Sequence, residues 1–336
     1  MNKDFRTPLA VIVLNWNGRH LLNEFLPTLM RETPKKKATI IVADNNSIDG
    51  SVEWIKENFP EVVLYSFEKN YGFAEGYNKA IQLSDYRYIC LLNSDVQVTK
   101  NWIEGPMSLL ESPHIAAVQP KIKSYKHPSY FEYAGAAGGY IDKYGYPFCR
   151  GRLFSEIEED KGQYNISTPI SWASGACLFI KRDTYIECGG LDPFFFAHQE
   201  EIDLCWRIYR SGKSVYYCPD SEVYHVGGAT LATINPQKVY LNYRNNYLML
   251  YKNLPAHISR RILLIRLFLD IISVLLFLLQ RKKSHAKAIL EARKDYKKMR
   301  EHYKPSPQEV KSHLKRYCVV YQYFILRHKK YFQLPN

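Results

Sequence analysis

The sequence predicts an α/β protein: a mostly parallel, Rossmann-like sheet followed by a helical, basic C-terminal region. Three observations carry the prediction. Apolar runs alternate with helix-like stretches through residues 9–122, the rhythm of βαβ units that lay helices on the faces of a parallel sheet. One run, Tyr88-Ile89-Cys90-Leu91-Leu92, leads into Asn93-Ser94-Asp95 and so places a carboxylate at a strand end, where open α/β sheets bind ligands. After Pro236 the pattern turns helical, and residues 255–336 hold 19 Lys and Arg against 5 Asp and Glu.

Each element follows from local chemistry. Residues 9–16 form the first apolar run, and Asn17-Gly18 opens a helix to about residue 31. Runs at 38–44, 62–67 and 86–93 alternate with helices over 51–59 and 72–84. Thr99 stands as the N-cap of a helix through 111, and 115–122 continues the sheet. From 131 to 152 aromatic residues mix with Gly135, Gly138 and Gly139, which reads as hairpins and loops over the sheet. The acidic run 156–160 reads as a solvated loop. Residues 170–181 read as a strand, 200–211 as an amphipathic helix, and 214–224 as a strand broken at Pro219.

Residues 262–279 are strongly apolar yet contain Arg266 and Asp270, between Arg260-Arg261 and Arg281-Lys282-Lys283. Their length approaches that of a membrane span, whereas internal charges and a basic collar favour a helix lying in the membrane interface. The alternative is a helix packed on the protein body with Arg266 and Asp270 paired on its solvent face. Residues 287–300 and 310–330 extend the basic helical region, broken at Lys304-Pro305-Ser306-Pro307.

The net charge of +13 belongs to this tail, since residues 1–254 hold 27 basic against 28 acidic groups. No nucleic-acid-binding motif accompanies it, so the expected partner is an anionic membrane surface and not nucleic acid. The seven cysteines are odd in number and lack a C-x-x-C pair, which points to buried thiols of a reducing compartment. Residues 1–8 show no secretory apolar stretch, so catalysis is expected in the cytoplasm.

Two further groups carry chemistry. Glu200-Glu201-Ile202-Asp203 opens the 200–211 helix, and His225 follows the last strand-like run, so ligands for a divalent cation and candidates for a general base are both present. Each has a structural reading as well. Asp44 can simply order the turn over 45–51, and an isolated Asn93-x-Asp95 can be a loop cap. The acids at 200–203 can stabilise a helix N-terminus, and His225 can be an ordinary hydrogen-bonded histidine.

Four segments stand in sequence: Val11-Ile12-Val13-Leu14-Asn15-Trp16-Asn17-Gly18, Val42-Ala43-Asp44-Asn45-Asn46-Ser47-Ile48-Asp49-Gly50-Ser51, Asn70-Tyr71-Gly72-Phe73-Ala74-Glu75-Gly76-Tyr77-Asn78, and Leu91-Leu92-Asn93-Ser94-Asp95. With Gly189-Gly190-Leu191-Asp192-Pro193-Phe194-Phe195-Phe196 and Cys205-Trp206-Arg207, their shared order resembles the family 2 glycosyltransferases of GT-A fold, in particular bacterial rhamnosyltransferase-like members. The resemblance covers residues 9–228, and the tail only loosely. It implies the nucleotide-diphospho-sugar transferase fold, with Asp44 accepting the imide N–H of uracil or thymine. It places Asn15, Asn17, Asn46, Asn70, Gly72, Asn78 and Asn93 around the donor. Asn93-Ser94-Asp95 takes the D-x-D position with asparagine in place of the first aspartate. Asp95 is then the main ligand of Mg2+ or Mn2+, His225 completes the site, and Asn93 positions the nucleotide or a metal-bound water. Glu201 falls at the base position, where the family usually has aspartate, with Glu200 and Asp203 as alternatives. Trp172, Ser174 and Gly175 match the acceptor-side wall, Trp172 either stacking on a sugar or lying in the core.

The reading is an inverting, metal-dependent glycosyltransferase that moves a sugar, rhamnose in the favoured version, from a UDP- or dTDP-activated donor. The acceptor is a glycan or lipid-linked molecule at the inner membrane face, in cell-surface polysaccharide synthesis. Residues 1–235 are expected as the catalytic domain, with its nucleotide-sugar half up to 122, its acceptor half over 123–235, and the helical, basic region over 236–336. One rival is a nucleotidyltransferase, whose glycine-rich loop with Arg and Lys is missing where Asn15-Trp16-Asn17-Gly18 stands. The other is a non-catalytic nucleotide-sugar binder, which would need no Glu201 carboxylate.

Overall fold

The computed structural model describes residues 8–227, 235–308 and 313–335. The polar N-terminal stretch up to residue 7, Gly228, and the start of the helix expected from 310 lie outside the described residues. Strands β1 (Leu9–Asn15), β2 (Ala38–Asp44), β3 (Val63–Ser66) and β4 (Tyr88–Asn93) alternate with helices α1 (Arg19–Glu32), α2 (Ser51–Asn58) and α3 (Gly72–Gln82). Then come β5 (Val96–Val98), α4 (Glu104–Leu110) and β6 (Ile115–Ser124). Short strands β7 (Gly139–Ile141), β8 (Pro147–Cys149), β9 (Arg152–Leu153) and β10 (Glu156–Ile157) form a separate antiparallel sheet. Next are β11 (Thr168–Pro169), β12 (Cys177–Lys181), α5 (Arg182–Glu187), α6 (Glu200–Arg210) and β13 (Ser214–His225). Helices α7 (Pro236–Asn253), α8 (Ala256–Leu279), α9 (Lys283–Met299) and α10 (Val319–Phe324) complete the chain.

Among the described residues the main sheet has nine strands in the order β11-β13-β6-β12-β4-β1-β2-β3, with β5 paired to β13. The β1, β2, β3 and β4 pairings are parallel, and β12 runs antiparallel between β4 and β6. Both faces of β1 are covered, because Ala10 and Ile12 share a core with Tyr77 and Ile81 of α3 while Val11 and Val13 share the other with Leu22 and Leu26 of α1. That is why the strand reads as a continuous apolar run. The chain steps from β1 out to β2 and β3 and returns to β4 on the other flank of β1. Such a reversal leaves a crevice beyond the carboxyl ends of the strands. The register brings Asn15 beside Asp44 and Leu14 beside Asn93 at that edge.

The structure corrects several expectations. Thr99 does not cap a helix: its hydroxyl donates to the Glu222 carbonyl at 2.7 Å, and the helix starts only at Glu104. The 156–160 run is solvated only in part: Glu156 and Glu159 are exposed, whereas Glu158 is buried and accepts from Tyr164 Oη at 2.9 Å, and the enclosed Asp160 side chain pairs with Lys121 at 2.8 Å. Pro219 interrupts the strand pairing as expected, without ending the strand. It sits in a register shift between Cys218 and Glu222, and β13 continues to His225.

The apolar helix is inverted relative to the alternative expected from its sequence. Arg266 and Asp270 point inward, each 3% exposed, while Leu264, Phe268, Leu275 and Leu279 are 68%, 66%, 54% and 80% exposed. The charges find partners inside: Asp270 Oδ2 accepts from Tyr247 Oη at 2.6 Å and Arg293 Nη1 at 2.9 Å. Arg266 stacks on Tyr146, 3.7 Å from the ring centre. Among the described residues α8 is the one helix long and apolar enough to cross a membrane.

Candidate active site

At the ends of β1 and β2, Asn15 Nδ2 donates to Asp44 Oδ1 at 2.8 Å and to Ser47 Oγ at 3.1 Å. The Ser47 N–H donates to Asp44 Oδ2 at 2.9 Å. Asp44 therefore orders the turn after β2, and each oxygen keeps lone-pair capacity for another donor. Asn15 Oδ1 is buried without a partner among the described residues. A Cβ at Gly18 would stand 2.6 Å from it, so the glycine leaves open the space before an unpaired acceptor. Asn17 and Asn46 adopt left-handed φ of 50° and 64°, which asparagine tolerates. Asn17 Oδ1 accepts the Ile48 N–H at 2.8 Å. Asn70 Oδ1 accepts the Gly72 N–H at 2.8 Å and shapes the entry to α3. Gly72 has φ 75°, and a Cβ there would meet the Phe196 ring at 3.3 Å.

The second cluster joins β4 to β13. His225 Nε2 lies 3.1 Å from Asp95 Oδ1 and 3.4 Å from Asn93 Nδ2. Its Nδ1 faces Glu132 Oε2 at 3.5 Å. Burial opposes a charge on the imidazole, yet Asp95 and Glu132 raise it to about 10. Burial likewise pushes Asp95 upward, and His225 outweighs it and holds the carboxyl below its usual range. Neighbouring ligands about 2.1 Å from an octahedral cation stand about 3.0 Å apart, so the Asp95 and His225 spacing suits one shared ion. Glu132 would then stand behind the histidine, as carboxylates commonly do behind metal-binding imidazoles. No three His, Cys, Asp or Glu side chains form a metal cage among the described residues, and Mg2+ or Mn2+ ordinarily needs only one or two protein ligands beside phosphate and water.

The acidic pair begins α6. Glu200 and Glu201 each have one enclosed oxygen without a partner among the described residues. Burial drives both carboxyls upward, Glu201 to about 7 against hydrogen bonds from backbone N–H groups including that of Gly175. The neighbouring charge of Glu201 raises Glu200 further. Gly175 touches Glu201, and the next carbonyl, that of Ala176, accepts the Asn93 N–H at 3.0 Å. One short loop thus connects a near-neutral carboxyl to the strand end that carries Asn93 and Asp95. A group with such a pKa is suited to proton transfer at physiological pH.

Residues 10–188, more than half of the 336, match glycosyl transferase family 2. The chain belongs to that family. An N-acetylglucosaminyl-diphospho-decaprenol L-rhamnosyltransferase of Mycobacterium tuberculosis is 25% identical over 236 residues, covering 65% of this chain and 75% of the relative. GalNAc-T7, solved with UDP, GalNAc and Mn2+, has a TM-score of 0.58 at 16% identity over 74% of this chain and 48% of its own. The mannosyltransferase PcManGT of Pyrobaculum calidifontis, solved with GDP-Man and Mn2+, gives 0.54 at 13% identity over 87% and 88%. The fold is that of the GT-A glycosyltransferases.

Some residues expected at the glycosyltransferase site are committed elsewhere. Asn78 clasps the turn at Leu191, accepting its N–H at 3.0 Å and donating to its carbonyl at 2.7 Å, with Tyr185 Oη on the same Oδ1 at 2.6 Å. Its carbonyl oxygen is thereby fully used, and one N–H of its amide is given to the same turn. Trp172 is core: its indole covers Gly139 and donates to the Tyr140 carbonyl at 3.0 Å. Ser174 is buried, its N–H bonded to Gln119 Oε1 at 2.8 Å. Asp203 is locked by Arg207 at 2.7 Å, Lys252 at 2.9 Å and Asn253 at 2.7 Å. Burial alone would raise its carboxyl, but the two cations hold it well below the usual range, so it is no base.

Sequence reasoning missed Glu132 behind His225, and Asn45, whose amide bonds the Gly72 carbonyl at 2.9 Å and the Tyr71 N–H at 3.2 Å. Asn45 lies in the motif over 42–51, where its residue type was a usable signal. Glu132 stands in a loop with no spacing to mark it.

Proposed function

We propose that this glycosyltransferase is an inverting, divalent-metal-dependent rhamnosyltransferase using a UDP- or dTDP-activated sugar and a glycan or lipid-linked acceptor. The observation that supports this most is the meeting of Asp95 and His225 at the strand end that the 174–176 loop joins to Glu201. Asp44 and the open acceptor of Asn15 serve the pyrimidine. Asp95 and His225 would hold an Mg2+ or Mn2+ ion, which would supply charge stabilisation for the departing diphosphate. Glu201 takes the proton of the acceptor hydroxyl while the nucleotide diphosphate leaves from the opposite face of the sugar, which inverts the anomeric centre. Glu200, the deeper carboxyl, keeps its proton and spares Glu201 a neighbouring charge. Rhamnose and a lipid-linked acceptor rest on the mycobacterial relative, whose name records both an L-rhamnosyl transfer and a diphospho-decaprenol.

A peripheral position on the inner face of the cell membrane, with the division at residue 235, completes the proposal. The outward stripe Leu264, Phe268, Leu275 and Leu279 lies on one helix face and reaches the acyl boundary, while Arg260, Arg261, Arg281, Lys282 and Lys283 meet anionic headgroups at about 1 kcal/mol each. The test is nucleotide diphosphate release from a panel of nucleotide sugars with Mn2+. Release from dTDP- or UDP-rhamnose supports the reading. Release from none of the panel refutes it, and full activity in chelator refutes the metal.

A further inference from the structure

The segment from the turn at Pro193–Phe195 to α6 reaches the base along a backbone that needs holding. Phe196, His198 and Gln199 all have positive φ, at 65°, 70° and 71°, a region unfavourable for such side chains. Their neighbouring carbonyls find partners on α7. Asn245 Nδ2 lies 3.0 Å from Phe195 O, 2.9 Å from Ala197 O and 2.7 Å from His198 O, so one amide faces three carbonyls. Asn245 Oδ1 accepts from Arg244 Nε at 2.9 Å, and Arg244 Nη2 reaches the Phe194 and Phe195 carbonyls at 3.1 and 3.0 Å. Asn246 Nδ2 donates to Gln199 Oε1 at 3.1 Å, and Gln199 Nε2 donates to the Asn242 carbonyl at 2.9 Å. Arg266 of α8 closes the chain on Asn246 Oδ1 at 2.6 Å.

Asn245 and Asn246 are 0% and 1% exposed, and buried amides persist where their hydrogen bonds are made. The donor bonds of Asn245 all run to the segment that ends at Glu200, and Asn246 divides its own between Gln199 of that segment and the Gly145 carbonyl, the latter at 2.8 Å. The same segment reaches the donor side, where the Phe196 ring packs over Gly72.

We propose that Arg244, Asn245 and Asn246 are positioning residues, a clamp that fixes the 194–199 backbone and thereby sets where Glu200 and Glu201 stand. None of the three contacts the reacting atoms. The proposal rests on the reading of Glu201 as the base. Its physical content is that an active-site displacement of about 1 Å lowers turnover on the order of 10²-fold.

The full chain serves for the test, with hydrogen exchange and steady-state rates as readouts. In Asn245→Ala the amides of 196–201 should exchange at least tenfold faster, with those of β1 and β4 unchanged, while kcat falls about 10²-fold and nucleotide affinity stays within about twofold. Asn245→Asp keeps the volume but turns a carboxylate toward three carbonyl oxygens, so it should be no better than alanine. A space-filling role would make the aspartate variant benign, and wild-type kcat in it overturns the clamp. Nucleotide binding lost in step with kcat in Asn245→Ala overturns it too. Should wild-type protein release no nucleotide diphosphate from any donor, the catalytic reading falls alone. The exchange comparison still decides the clamp, which unchanged protection at 196–201 refutes. If Asn245→Ala does not fold, Asn246→Ala, which frees Gln199 and also strips a partner from the Gly145 carbonyl and from Arg266, carries the exchange comparison at 196–201.

Discussion

Glu201 and Asp95 divide the proposed chemistry between a proton acceptor and a cation ligand, and single substitutions separate the two. Glu201→Gln keeps shape and hydrogen bonding but accepts no proton, so kcat should fall by about 10²–10⁴-fold with donor affinity near normal. Equal turnover in the glutamine variant, with loss in Glu200→Gln, would move the base to its neighbour. The raised Glu201 carboxyl also sets two pH dependences. Turnover should fall as pH drops through about 7 and the base takes up a proton. Stability runs the other way: a carboxyl raised above its unfolded value supports folding below that value, and the support is lost as pH rises through about 7. Glu201→Gln should therefore gain melting temperature over wild type above neutrality and not at pH 5. Parallel melting curves across that range would contradict the enclosed carboxyl. On the donor side, Asp95→Ala should abolish metal-dependent diphosphate release, and Asp44→Ala should chiefly weaken nucleotide affinity, measured by calorimetry.

Helix α6 shows how one element carries acids with opposite fates. Glu200 and Glu201 lie in its first turn without cationic partners among the described residues, whereas Asp203, two residues on, meets Arg207 on its own helix and Lys252 on α7. Lys252 reaches Asp192 as well, at 2.6 Å, so the network pins α6, α7 and the 190–195 turn together. Asp203→Ala leaves two largely buried cations short of their partner and should lower unfolding free energy by about 3–5 kcal/mol in urea titration. Loss of turnover at unchanged stability would instead return Asp203 to the list of bases. In α8 the polar positions face inward for the same reason: Asn246, Tyr247 and Arg293 wait there to pair Arg266 and Asp270. The apolar stripe is left outward because the protein body already has its partners.

At the scale of the whole molecule the C-terminal region folds back on the catalytic part. The Lys315 N–H bonds the Ile141 carbonyl at 2.8 Å, Val319 N–H bonds Asp142 Oδ2 at 2.9 Å, and Tyr331 N–H bonds Glu158 Oε1 at 3.1 Å. Cutting the chain after α7 would strip the small sheet of these partners, so membrane binding is better tested on the surface of α8. Wild type should float with anionic phosphatidylglycerol vesicles and release in high salt. Phe268→Glu with Leu275→Glu, both at exposed positions, should remain in solution and keep nucleotide diphosphate release. Undiminished flotation of the double variant would exclude α8 as the membrane element.

The βαβ order, the strand ends carrying Asp44, Asn93 and Asp95, and the basic tail were legible in the sequence, because apolar runs, turn residues and charge counts are local properties. The fates of the polar side chains were not. Asn93 meets His225 across 132 residues, Asp203 meets Asn253 across 50, and Asp142 meets Val319 across 177. Such pairings depend on which strand inserts beside which, and the antiparallel entry of β12 between β4 and β6 leaves no periodic trace. A buried acid that no cation reaches is available for proton transfer and one that two reach is a structural anchor, and only the packed chain decides which cations arrive.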